Sequence, residues 1–261
     1  MLPGGAEEAA GGAARSGGRA FDVDEVDWVR ETPSYYRYDA ELNVGAQSSS
    51  GNSDTTDLHF DALFEPTFGS NTLRFIGEFD RKEAEGNTTT DRWLASLAYE
   101  RDIGRRWFVG ATNIYEGDAL RNLDLRIITT AGVGYRFYDE GPTRLSVQPG
   151  IAYVIENFEE QDDNTSYPAV RWKTDFTRDL YKHAITFFHN DQYLNNLQDL
   201  DDVTIETRTG IEFDLAWNLK MSAEFQSEWD NQPAEDADKT DTRWILKIGY
   251  EFGGDEEDWF H

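Results

Sequence analysis

The residues of this chain whose types would support chemistry recur at a spacing of two. His189 and Asp191 share one face of an extended segment, as a general base and the acid that orients it would. Hydrolysis also needs a nucleophile or an activated water beside the base, and no serine neighbours the pair in sequence. A structural or interfacial histidine is therefore expected, and no catalytic residue. Acidic stretches such as Asp162-Asp163-Asn164 and Glu235-Asp236-Ala237-Asp238 offer oxygen ligands to Ca²⁺ or Mg²⁺. They lack the ligand spacing of a calcium loop, so solvated loops are the better reading. Cysteine is absent, which removes thiolate metal sites, thiol nucleophiles and disulfides. Gly132 and Gly134 form a lone G-x-G with no helix after it to meet a phosphate. No cofactor and no metal is expected.

The remaining charged residues alternate with apolar ones. From Val203 to Trp217, one face reads Val203, Ile205, Thr207, Thr209, Ile211, Phe213, Leu215 and Trp217. The other carries Glu206, Arg208, Glu212 and Asp214. A dyad repeat sustained over more than about ten residues marks a transmembrane β-strand, with one face to lipid and one to a lumen. The same alternation places Arg74, Glu78, Arg126, Arg136, Arg171, Lys173, Arg243 and Lys247 on polar faces with the four just named. These are the candidate lumen-lining residues. They either line a hydrated passage or pair with one another and plug it.

About twelve strands are expected, over 36–47, 55–66, 71–82, 90–101, 106–116, 122–138, 143–156, 166–178, 182–194, 202–217, 219–230 and 240–252. Most run well beyond the roughly 5–6 residues usual in soluble sheets and match the roughly 9–11 of a tilted membrane strand. The faces of the fifth and ninth are not settled by their patterns. Connections after even strands are short, for example Thr67–Ser70 and Glu140–Pro142. Those after odd strands are mostly longer and acidic, as in outer-membrane barrels with short periplasmic turns and longer outer loops. An even strand count then puts both ends of the barrel chain on the periplasmic side.

Composition agrees. Charged residues make up 29% of the 261, hydrophobic ones 38%, and no run of about 20 apolar residues offers a helical span. Aromatics reach 14%. Trp93, Trp107, Tyr135, Phe137, Trp217, Trp229, Trp244, Tyr250 and Phe252 lie on the apolar faces and are candidate lipid-facing belt residues. A net charge of −27 argues against nucleic-acid binding, which works through basic patches. Residues 1–20 read as a flexible Gly/Ala-rich leader without the apolar core of an export signal, 21–35 as a periplasmic segment, 36–252 as the barrel and 253–261 as an acidic tail. The export signal is expected upstream of a misplaced start.

Three motifs carry a resemblance over about 36–252. They are Gly51-Asn52-Ser53-Asp54-Thr55 after the first strand, Leu125-Arg126 followed by Thr130-Ala131-Gly132-Val133-Gly134-Tyr135-Arg136-Phe137, and the closing Lys247-Ile248-Gly249-Tyr250-Glu251-Phe252. In order and spacing the chain resembles the YdiY-like family of salt-induced outer membrane proteins, bacterial barrels of uncharacterised function. The resemblance implies a bacterial outer-membrane location, with lipopolysaccharide and the barrel assembly machinery as partners, and it carries over no catalytic residue. The functions expected are a passive channel for ions or small solutes, a non-conducting structural or adhesive barrel, or, as the outlier, a hydrolase built on His189.

Overall fold

The structure, a computed structural model, describes residues 36–49, 55–121, 123–139, 141–158, 164–181, 184–233 and 239–255. Twelve strands follow one another in sequence: β1 (Tyr36–Ser49), β2 (Thr55–Phe68), β3 (Asn71–Ala84), β4 (Asn87–Asp102), β5 (Trp107–Asp118), β6 (Leu123–Tyr138), β7 (Thr143–Phe158), β8 (Thr165–Tyr181), β9 (Ile185–Asn196), β10 (Val203–Asp214), β11 (Leu219–Asp230) and β12 (Thr240–Asp255). Each pairs antiparallel with its sequence neighbours, and β12 returns to β1 to close the barrel. This is the expected up-and-down barrel, with strands of 12 to 17 residues. Among the described residues no helix is long and apolar enough to cross a membrane; here strands do so.

The outer face explains why the pattern is so clean. Leu97, Val133, Ile151 and Ile248 stay exposed at 40%, 45%, 68% and 54%. So apolar a wall requires lipid around it. Aromatic pairs stand at the end where the short turns lie, Trp107 against Tyr135, Tyr135 against Phe137 and Tyr250 against Phe252, while Trp93, Trp229 and Trp244 lie towards the loop end.

Three expectations need correction. Strand β10 stops at Asp214, not at residue 217. Trp217 and Asn218 adopt positive φ (63° and 60°) in a short turn, so Trp217 projects from the barrel end at 85% exposure rather than from the wall. Secondly, one connection at the loop end is tight. β3 and β4 meet through Glu85-Gly86 alone, both at positive φ (52° and 78°), as a two-residue hairpin turn demands. The polar stretch 83–89 looked like a loop because both its faces are polar, yet its backbone continues the ladder. Thirdly, β12 runs on to Asp255, three positions into what the pattern assigned to the tail. The leader 1–20, the segment 21–35, His183, His261, the Gly51–Asp54 motif and the acidic stretches Asp162-Asp163 and Glu235–Asp238 lie outside the described residues.

The strands with unsettled faces turn out to have apolar residues pointing inward. Phe108 and Ile114 of β5, and Phe188 and Leu194 of β9, share inward registers with lumen residues such as Gly134 and Arg171. The inner cluster of Ile128, Ala152, Val154, Tyr167, Ala169 and Leu194, with Ile114 packed against it, is nearly inaccessible. The lumen wall along β5–β9 thus carries an apolar cluster among its charged and polar side chains, and this is why the alternation rule left the faces of the fifth and ninth strands open.

Gly134 lies on the same side of the lumen. It pairs with Phe108, whose ring lies where a Cβ on residue 134 would go, and the Arg136 guanidinium sits 4.5 Å above the same ring. The ring fills the gap that the glycine leaves. Gly134→Val is expected to destabilise the barrel by about 1–3 kcal/mol in urea titration, because the ring must move against a packed neighbour. Gly77→Val, where a Cβ meets nothing within 4 Å, is the control expected to be near neutral.

Candidate functional site

Alternation along each strand sends a charged side chain inward at every second position, and the registers then decide which of them meet. The charged half of the lumen spans β10, β11, β12, β1, β2, β3 and β4. Its lower part, near the turn end, holds Lys220 of β11 among Glu41, Glu212 and Glu251 at 3.1, 2.9 and 3.1 Å. Arg74 pairs with Glu65 there. Higher up, Lys247 bridges Asp61 and Glu224 at 2.8 and 2.9 Å.

His59, which the sequence pattern did not single out, is the buried histidine of the lumen, exposed by only 6%. Its Nδ1 lies 2.5 Å from Asp80 and its Nε2 2.8 Å from Asp61. Both nitrogens are taken up by carboxylates, so neither is left to accept a proton from a substrate or a water. Arg243 closes the group with a 3.0 Å bond to Asp80. This is a structural knot rather than an acid–base dyad. Its signal was the period of two in Asp57, His59 and Asp61, inward beside the outward Leu58 and Phe60.

Two further pairs cross the barrel. Arg208 of β10 reaches Glu78 of β3 through two parallel hydrogen bonds of 2.6 and 2.8 Å. Arg92 of β4 reaches Glu228 of β11 at 3.1 Å. In each case the partners stand five strands apart around a wall of twelve, nearly opposite. A fork-to-fork Arg–carboxylate pair is the most directional ion pair available to side chains. The two pairs act as struts that hold facing walls together.

Above the struts a cavity of about 1160 Å³ occupies the loop end. Arg92, Arg208, Glu206, Glu228, Arg243 and His59 line its floor, and Asp57, Lys82, Asp118 and Asp241 its rim. Acids and bases are nearly balanced there, so the excess negative charge of the chain lies elsewhere.

The other candidates take these places. Arg126 lies between Glu116 and Glu156 at 3.3 and 2.9 Å, under the Tyr167 hydroxyl. Arg136 joins Glu100 and Asp102 at the turn end. Arg171 bonds neutral oxygens, Gln192 Oε1 at 2.7 Å and Thr130 Oγ1 at 3.2 Å. Lys173 pairs with Asp175 at 2.8 Å. Asp214 stands opposite Lys220 in the ladder. Trp93, Trp229 and Trp244 are on outward registers, Trp229 one residue from the loop end of β11. His189 and Asp191 point outward as well, and His189 Nδ1 meets Thr209 Oγ1 at 2.7 Å. A dyad on the lipid-facing wall has no water-filled cleft to work in. Among the described residues no group of three or more His, Cys, Asp or Glu could hold a metal ion.

Comparison with known proteins gives a family and a general likeness. The family profile described as "Protein of unknown function, DUF481" matches residues 42–252. No curated protein matches the chain. Among solved structures the chain is similar to the NanC porin (12% identity, 81% of this chain and 97% of that one, TM-score 0.49). It is also similar to outer-membrane expressed OmpT of Vibrio cholerae (11%, 84% and 97%, TM-score 0.41). A third is the translocator domain of the autotransporter NalP from Neisseria meningitidis (10%, 83% and 88%, TM-score 0.44). At these values the likeness is of general form and assigns nothing to the interior.

Proposed function

The chain belongs to the DUF481 family of proteins of unknown function, and from that premise we propose that it is a bacterial outer-membrane barrel forming a gated passage for small polar solutes. The apolar wall supports the location, and the sorting of short turns to one end supports an extracellular loop end. The observation that carries the gated reading is the Arg208–Glu78 fork across the lumen. A barrel of about eight strands is filled by its own side chains, and one of 16 to 18 leaves an aqueous channel. Twelve strands leave room that here is bridged by struts and partly filled by an apolar cluster. Solute entering the extracellular cavity would meet ion pairs, not an open bore.

Planar-bilayer recording tests this. The wild type is expected to show little conductance. A variant with Arg208, Glu78, Arg92 and Glu228 all changed to Ser is expected to conduct severalfold more, while still folding as judged by heat-modifiable migration on a gel. Wild-type steps as large as the variant's would show that the struts do not close the lumen. Silence in both would favour the second reading, a structural barrel that works through its acidic outer loops.

A further inference from the structure

The wall is not sealed along its whole height. The β1–β12 ladder runs from Arg37↔Asp255 to Val44↔Ile248 and stops. β1 continues to Ser49, paired with Thr55 of β2, and β12 continues to Thr240, paired with Trp229 of β11. Among the described residues, 45–49 of β1 and 243–247 of β12 therefore have a strand on one side only. On that stretch of β12 the outward side chains are far more exposed than lower down: Trp244 80% and Leu246 75%, against 40% for Tyr250 and 45% for Phe252. The extracellular cavity reaches this gap. Gly45, Ile245 and Leu246 line it together with His59, Arg208 and Glu228 of the lumen. Unpaired backbone at membrane depth costs several kcal/mol per group unless it borders water, and here the cavity supplies the water. Gly45 adds no side chain where the strands part; a Cβ there would come within 2.9 Å of the Leu246 carbonyl oxygen.

A hollow lined by apolar residues on the lipid side and charged ones on the lumen side fits a molecule divided in the same way. Two carboxylates specify its head. Asp57 Oδ1 is buried without a hydrogen-bond partner, and the other oxygen is 3.6 Å from Lys82. Asp57 stands opposite Gln47 of β1, on the strand next to the gap. Glu206 lines the same cavity with Arg92 and Arg208 near it, and among the described residues its carboxylate makes no direct hydrogen bond. An unsatisfied buried acceptor is costly, and a donor-bearing cation relieves it. A net charge of −27 also draws cations towards the barrel.

The geometry points to a lateral portal between β1 and β12 that admits a cationic amphiphile, its single apolar chain against Leu246 and Trp244 and its ammonium head at Asp57 and Glu206. Conducting and silent barrels alike would bind it, so the portal stands apart from the gated passage proposed above.

The test is binding of radiolabelled dodecylammonium, whose head carries three N–H donors, to the protein in phosphatidylcholine nanodiscs, with empty nanodiscs subtracted. One saturable component is expected. Methylammonium and dodecyl sulfate should displace it poorly, the first lacking the chain and the second the cation. Asp57→Asn and Glu206→Gln are each expected to weaken it about tenfold, the worth of one charge-assisted contact. Several outcomes overturn the portal: no saturable component, equal displacement by dodecyl sulfate or methylammonium, or unchanged affinity in both variants. Heat-modifiable migration confirms that each variant is a closed barrel. Should one variant not fold, the other and the wild-type preference for head and chain still decide.

Discussion

Arg208→Ala is expected to destabilise the refolded barrel by about 3 kcal/mol, more than any other single truncation in the charged half of the lumen. The reason lies in what is left behind. Glu78 is the more enclosed partner, its side chain exposed by 8% against 32% for Arg208. Without the fork it becomes a carboxylate held out of water with no direct counter-ion, and that penalty dominates the loss. Glu78→Ala should cost less, because the stranded guanidinium is the wetter group and has Glu224 and Glu206 near it. Changing both residues to Leu removes both charges and should cost about 1 kcal/mol or less. Urea titration of the barrel in lipid vesicles, followed by tryptophan fluorescence, completes the double-mutant cycle. Additive single and double losses would mean that the strut contributes no coupling and that the lumen is braced by other means.

The strut also shows where sequence ceases to be informative. That Arg208 and Glu78 face inward follows from alternation on their own strands. That they meet does not, because the hydrogen-bonded partners are 130 residues apart and their heights depend on the register of every ladder between them. The same holds for Arg92 and Glu228, 136 apart. His59 was legible as an inward residue, but its carboxylate on either side needed Asp80 from the next strand. The outer face was the easy half, since lipid demands the same character of every outward position. Even there the pattern ran past the strand, and Leu215 and Trp217 prolonged the alternation of β10 into a turn. The gap between β1 and β12 left no trace in the pattern, because Trp244, Leu246 and Ile248 alternate as regularly as if a second partner were present. β5 and β9 resisted assignment for a physical reason. The rule of a polar lumen fails where the lumen is packed, and Phe108, Ile114, Phe188 and Leu194 all face it.

That packed half sets the second large effect. Ile128 is 2% exposed and sits in the inner cluster with Val154, which is wholly inaccessible. Its neighbour Ile127 lies on the outward register, between Tyr115 and Ile155. The two isoleucines adjoin in sequence and face opposite solvents. Ile128→Ala is expected to cost about 2–4 kcal/mol, since the closed barrel cannot collapse around the missing atoms and a cavity adds to the lost transfer energy. Ile127→Ala should cost about 1 kcal/mol, because lipid chains flow into the space and only the transfer energy is lost. Urea titration of both variants in the same vesicles reads the difference directly. Equal costs would mean that lipid or water reaches Ile128 from inside, and the apolar half would then be a lined cavity rather than a core. A large asymmetry would place much of the barrel's rigidity inside it, on the wall facing the struts. Movement at Arg208 and Glu78 would then pivot against a fixed side, and opening would be confined to the charged half.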